Sequence, residues 1–168
     1  MKLLITTCIV ALSPITLFAD RILPTTPEEL TATVEQAFAN ADVEIAEIIA
    51  VPDEQRTFAN TVGALDDMMA RLDGDANIMA FMAYVHPDAD IRAAAQGAEQ
   101  LWSSWAIDFA TNEDLYNAVK TYADTNPALE GERARMLEHM MRDYRRSGMM
   151  FTSENREELK TIQKELGL

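Results

Sequence analysis

The sequence predicts an all-α fold, an antiparallel array of about seven helices. Apolar residues recur at helical spacing through almost every segment between breakers, strand-like alternation is nearly absent, and helix-start and helix-stop residues punctuate the chain at regular intervals.

The N-terminal residues stand apart. Lys2 precedes an apolar run from Leu3 to Phe18 that ends at Ala19, followed by the polar pair Asp20-Arg21. This is the pattern of a secretory signal. The run is shorter than the roughly 20 apolar residues of a membrane-spanning helix and contains Pro14. Residues 1–19 are therefore expected to be a signal peptide and residues 20–168 a single helical domain in an exported, periplasmic or secreted protein. Leu17 stands where a small residue is usual before the cut, so an uncleaved membrane tether is the alternative. Ile5-Thr6-Thr7-Cys8 lacks the small residues of a lipoprotein box.

Thr26-Pro27-Glu28-Glu29 opens the first helix with an N-cap, a proline at the first helical position and early acids, and Leu30, Val34, Phe38, Ala41, Ile45 and Ile48 share one face before Pro52. From Phe58 a second stripe runs through Val62, Leu65, Met69 and Leu72, and Asp73-Gly74-Asp75 predicts a turn. Ile78, Met82 and Val85 make a short third helix ended by Pro87. Asp88 starts a fourth through Ile91, Ala95, Ala98, Trp102, Trp105 and Phe109. Asn112-Glu113-Asp114 begins a fifth with Leu115, Val119 and Tyr122, bounded by Asn126-Pro127. A sixth spans about Glu130 to Arg146, with Leu137, Met141 and Tyr144 inward and Gly148 as its stop. Thr152 or Ser153 caps a last helix carrying Leu159, Ile162 and Leu166.

At 168 residues with 48% hydrophobic and 25% charged content, one globular core is expected. The net charge of -14 repels phosphate backbones and anionic lipid, which argues against nucleic-acid and peripheral-membrane partners. The single cysteine, Cys8, lies in the signal, so the exported domain has no thiol chemistry, disulfide or cysteine zinc site.

A search for chemistry assigns no catalytic, cofactor-binding or metal-binding residue. His86 and His139 are the two histidines, and no H-E-x-x-H motif is present. His139 and Asp143, four apart, are two ligands where zinc needs more, and read as a structural pair. Met79, Met82 and His86 share a face that offers thioethers to Cu(I), but methionine at helical spacing beside Phe81 and Val85 reads as core. Arg133, Arg135, Arg142, Arg145 and Arg146 concentrate positive charge suited to a carboxylate or phosphate. Glu138 four residues before Arg142, with Glu132, Asp143 and Glu154 nearby, instead predicts helix-face ion pairs. Trp102, Trp105 and Phe109 read as a core stripe rather than a ligand wall. Asp66-Asp67, Asp73 with Asp75, and Asp88 with Asp90 complete no EF-hand loop.

Four stretches in order carry a resemblance. They are Arg56-Thr57-Phe58-Ala59-Asn60-Thr61 with Leu65; Val85-His86-Pro87-Asp88 with Ile91-Arg92-Ala93-Ala94-Ala95, Ala98 and Glu99; Glu113-Asp114-Leu115-Tyr116; and Leu137-Glu138 through Arg142-Asp143-Tyr144-Arg145-Arg146-Ser147-Gly148 to Arg156, Leu159, Lys160, Ile162 and Glu165-Leu166. Together they resemble the N-terminal helical region of the thimet oligopeptidase and oligopeptidase A family of zinc metallopeptidases, most strongly over residues 56–166. The resemblance implies a helical wall of the channel in which such enzymes cut short peptides. It implies zinc in the full-length family, bound far downstream by H-E-x-x-H, and no ligand in this chain, since His86 and His139 fall outside that motif. The expectation is the N-terminal part of an exported oligopeptidase, truncated before its catalytic zinc domain and not catalytic alone. The alternative is a stand-alone exported module that binds peptides or a protein partner. Short peptides, a missing catalytic domain, or a second copy meeting exposed apolar faces are the expected partners.

Overall fold

The computed structural model describes residues 23–166; the predicted signal peptide with Cys8, and Gly167-Leu168, lie outside the described residues. Helices α1 (Pro27–Ala50), α2 (Val62–Val85), α3 (Ala89–Ala110), α4 (Glu113–Asp124), α5 (Gly131–Arg146) and α6 (Ser153–Leu166) follow one another, with a 3-10 turn at Asp53–Gln55 between the first two. Among the described residues there is no strand, and no helix is long and apolar enough to cross a membrane.

Helix α1 forms as its sequence dictates. The Thr26 hydroxyl accepts the Glu29 backbone N–H at 3.2 Å. Glu29 reaches back so that the Thr25 backbone N–H and hydroxyl donate to it at 2.8 and 2.9 Å, which holds its carboxyl below the ordinary range. All six predicted face residues, Leu30, Val34, Phe38, Ala41, Ile45 and Ile48, are buried.

The predicted second and third helices are one. Helix α2 runs unbroken through Asp73-Gly74-Asp75, which corrects the turn expected there. A glycine inside a helix costs about 1 kcal/mol. The uninterrupted buried stripe Met68, Leu72, Ala76, Met79, Met82 and Ala83 outweighs that, and Asn77 donates to Asp73 one turn back. Continuity also resets the phase. Ile78, Phe81 and Val85, read as inward-facing or as core companions, are exposed, while Met79 and Met82 are in the core as expected.

Helices α1, α2 and α3 pack on one another, α4 packs on α1, α5 on α4, and α6 on α3. The aromatic stripe of α3 seals its seam with α1. Phe38 stacks on Trp105 at 5.5 Å, Trp105 on Phe109 at 5.2 Å, and the Trp105 indole N–H donates to Asp42 at 2.9 Å. Trp102, Trp105 and Phe109 are half-buried, packed against the core rather than enclosed by it.

Asn112 caps α4 through the Leu115 backbone N–H at 2.9 Å. Tyr144 is the buried residue of α5, edge-on to Tyr116 at 5.3 Å, whereas the predicted inward residues Leu137 and Met141 are half-buried. Gly148 ends the helical turn after α5 at φ +87°, a conformation that glycine alone adopts freely. Helix α6 buries none of its residues, and Ile162 and Leu166 are exposed.

Candidate functional site

A groove of about 930 Å³ lies between α2 and α5, closed at one end by the C-terminus of α3. Because α5 packs mainly on α4, it stands off from α2 and leaves the space between them open. Leu65 and Met69 one turn apart on α2, Met136 and Met140 one turn apart on α5, and Phe109 from α3 line its apolar part. Tyr144 lines it as well, and burial pushes its hydroxyl above the ordinary range, so it stays protonated at any physiological pH.

Polar side chains on α2 and α5 ring that floor. Asp66, Glu132, Arg135, His139, Asp143 and Arg146 all border the groove. Asp143 is committed: Arg142 donates to it at 3.0 Å and Arg146 lies at 3.8 Å, so its carboxyl is held below the usual range by the Arg142 hydrogen bond above all. Glu138 makes no ion pair with Arg142, contrary to expectation, because the adjacent Asp143 is the guanidinium's partner instead. Arg133 lies over the Phe58 ring at 5.3 Å. The guanidinium of Arg135, by contrast, makes neither an ion pair nor a hydrogen bond among the described residues, and it borders the groove. Asp66 and Glu132 are likewise without an ion pair there.

Among the described residues the five arginines of one segment thus separate into three with partners, Arg133, Arg142 and Arg146, and two without, Arg135 and Arg145. Sequence reasoning recognised the cluster but not this division. The apolar floor is not legible in the sequence, because Met69 reads as core and nothing in the sequence sets Met136 and Met140 apart. Their common i, i+4 spacing on a strongly amphipathic helix marks an apolar face but not whether another helix covers it.

The residues that carry the family resemblance close loops and helix ends. The Arg56 side chain is 5% exposed and donates to the Ile48 and Ile49 carbonyls at 3.0 and 3.1 Å, capping the C-terminus of α1, while also pairing with Asp53 at 2.8 Å. The Thr57 N–H donates to the Asn60 side chain at 2.7 Å, and the Asn60 N–H donates back to the Thr57 hydroxyl at 3.3 Å. Gly63 follows where a Cβ would press on the Phe58 carbonyl at 3.2 Å. Arg92 locks the turn between α2 and α3 through the His86 and Pro87 carbonyls at 2.7 and 2.8 Å, and the His86 ring accepts the Asp88 N–H at 3.1 Å. Ser147 donates to the Ala110 carbonyl at 3.2 Å, and Arg156 donates to the Phe151 carbonyl at 2.7 Å and pairs with Glu113. In this chain these residues fix the geometry of loops and helix ends.

The two histidines lie on different elements, His86 at the end of α2 and His139 on α5. Among the described residues no three His, Cys, Asp or Glu side chains are placed to hold a metal ion, so this donor set does not fit zinc.

Comparison with known proteins bears out the resemblance. No family model matches the chain. It is similar to a "Thimet-like oligopeptidase" of Dictyostelium discoideum, 29% identical over 144 residues, which cover 83% of this chain and 21% of that protein. A "Mitochondrial intermediate peptidase" of Candida albicans is 27% identical over 151 residues, 86% of this chain and 19% of its own length. A "Probable thimet oligopeptidase" of Arabidopsis thaliana is 25% identical over 113 residues, 67% of this chain and 16% of its own. The chain resembles thimet-type oligopeptidases over most of its length, and it spans about a fifth of the length of the curated relatives it matches.

Proposed function

We propose that this chain is the N-terminal helical portion of an exported zinc-dependent oligopeptidase, and that it handles short peptides without cutting them. The observation that carries the reading is the similarity to a thimet-like oligopeptidase over 83% of the chain, in a sequence with no H-E-x-x-H. An open groove with an apolar floor and a charged rim supports peptide handling, since ligand sites are concave and mostly apolar with a few placed polar groups. Its role is that of a wall against which peptide lies while zinc chemistry is supplied by other residues of the enzyme.

The test is to titrate the chain with a mixed pool of short peptides, with and without added zinc, and to measure both binding and hydrolysis. Saturable binding without cleavage is expected. Zinc-dependent turnover by this chain alone would overturn the non-catalytic reading, and absence of binding across the pool would remove peptide handling. Export is tested by fractionating cells and sequencing the mature N-terminus, which is expected at Asp20.

The row of Phe81, Tyr84 and Val85 on α2, between 57% and 72% exposed, favours burial against a protein partner or a second copy. Sedimentation of the chain at rising concentration distinguishes these: self-association appears as concentration-dependent mass, and a constant monomer leaves the row to a different partner, whether another protein or the remaining residues of the proposed enzyme.

A further inference from the structure

We infer that the groove between α2 and α5 is a binding site for the C-terminal end of a short peptide whose last side chain is apolar. This rests on the peptide-handling reading and assigns that role to one surface.

Three features select the ligand. The floor is made of Met69, Met136 and Met140 with Phe109 and Leu65. Thioether side chains are unbranched and adaptable, and a methionine-lined surface accepts apolar groups of varied shape. That predicts preference for an apolar residue without selection for one particular kind.

Arg135 sits beside Met136 on α5 and borders the same groove. In a chain with 28 acidic residues its guanidinium has no carboxylate partner among the described residues, whereas Arg71, Arg142, Arg146 and Arg156 each have one. An unpaired planar fork at the edge of an apolar floor fits a carboxylate attached to an apolar group, through paired N–H donors.

The opposite sign on the same rim narrows the source of that carboxylate. Asp66 on α2 and Glu132 on α5 border the groove without ion-pair partners among the described residues. They repel a second anion and accept hydrogen bonds from amide N–H groups or an ammonium. A peptide supplies these donors behind its terminal carboxylate, and a fatty acid supplies none. Asp143 is already bound to Arg142 and Arg146, and so leaves Arg135 as the carboxylate receptor.

The test uses calorimetric titration of the whole chain with an unlabelled alanine-glycine pentapeptide ending in leucine, offered as the free acid and as the C-terminal amide. A version ending in aspartate and octanoate complete the series. The free acid is expected to bind about tenfold or more tightly than the amide, in line with loss of a charge-assisted hydrogen bond. Arg135→Gln is expected to erase that difference, and Met140→Gln to weaken the leucine peptide relative to the aspartate one. Circular dichroism and thermal midpoints matching the unsubstituted chain establish that both variants fold. Should Met140→Gln fail to fold, the acid-to-amide ratio in Arg135→Gln decides alone. Equal binding of acid and amide, or a ratio unchanged in Arg135→Gln, overturns the groove assignment while leaving peptide handling elsewhere intact. Octanoate binding as tightly as the peptide overturns the peptide as ligand. If no peptide of the pool binds, the broader reading falls with it.

Discussion

Helices α1 to α3 and helices α5 and α6 are held by different physics. In the first group the apolar stripes meet: α2 buries eight side chains, α1 six, and the α1–α3 seam is closed by stacked aromatics. In the second, α5 buries Tyr144 and α6 buries nothing. Helix α6 is fastened by charge, with Lys160 and Lys164 donating to Asp108 of α3 at 2.7 and 2.9 Å and Arg156 reaching Glu113 of α4. Burial energy scales with area and is not screened by salt, while exposed ion pairs contribute about 1 kcal/mol or less each and are screened. The N-terminal three helices are therefore the stable body of the domain, and α5 and α6, one of which borders the groove, are its adjustable side.

The largest expected effect tests the body. Leu30→Ala removes a fully buried side chain from α1 and is expected to cost about 2–5 kcal/mol of global stability, read from denaturant midpoints at constant slope. Leu159→Ala on α6, half-buried, is expected to cost about 1 kcal/mol. Equal losses at the two positions would break the comparison.

An intermediate effect is expected at the joint between the regions. At Gly148 the positive φ costs an L-residue about 1–2 kcal/mol, and an added Cβ would lie 2.8 Å from the Leu159 side chain and 3.1 Å from Phe151. Gly148→Ala should raise amide hydrogen exchange in α6 well before that of α1 to α3. Uniform change across all helices would show that the joint does not separate them.

The smallest effect sharpens the electrostatic side. Burial tends to push the Asp108 carboxyl up, but the ammonium groups of Lys160 and Lys164 overcome it and hold it below its ordinary value. A carboxyl depressed in the folded state adds stability that is complete above its unfolded value of about 4 and is lost as pH falls through the lower folded value. Asp108→Asn should therefore cost under about 1 kcal/mol at neutral pH and nothing once the carboxyl is protonated. Protection of the α6 amides, taken relative to the intrinsic exchange rate at each pH, should fall in acid and in high salt for the native protein, and respond to neither in the variant beyond the contribution of Arg156 and Glu113. An α6 insensitive to both would mean that Leu159 and its neighbours hold it instead.

How far the sequence could be read depended on whether a local signal had a competitor. Helix α1 was legible to its last buried residue, because Thr26, Pro27 and six evenly spaced apolar residues agree. The start of α4 at Asn112 was legible for the same reason, and Gly148 was identified as a stop. At Asp73-Gly74-Asp75 the local signal favoured a turn and the apolar stripe on either side favoured a helix, and the stripe prevailed because packing outweighs a propensity of about 1 kcal/mol. The error propagated in phase, which is why Ile78, Phe81 and Val85 were expected inside and stand outside. The groove was the least legible part. Methionine spacing is the same for a core stripe and for a lined cavity, and the difference lies in whether another helix covers it.

The sequence by itself determined the all-helical class, most helix boundaries, the absence of an H-E-x-x-H motif and the resemblance to thimet-type oligopeptidases, because caps, breakers and motif order are local properties of the chain. Tertiary structure alone decided that α2 is a single helix, that Arg56, Asn60, Arg92 and Arg156 serve as loop and helix closures, and that α5 stands apart from α2 over a methionine floor with Arg135 unpaired at its edge. Those outcomes depend on which surfaces meet across long stretches of chain, and a residue's own spacing carries no record of what faces it.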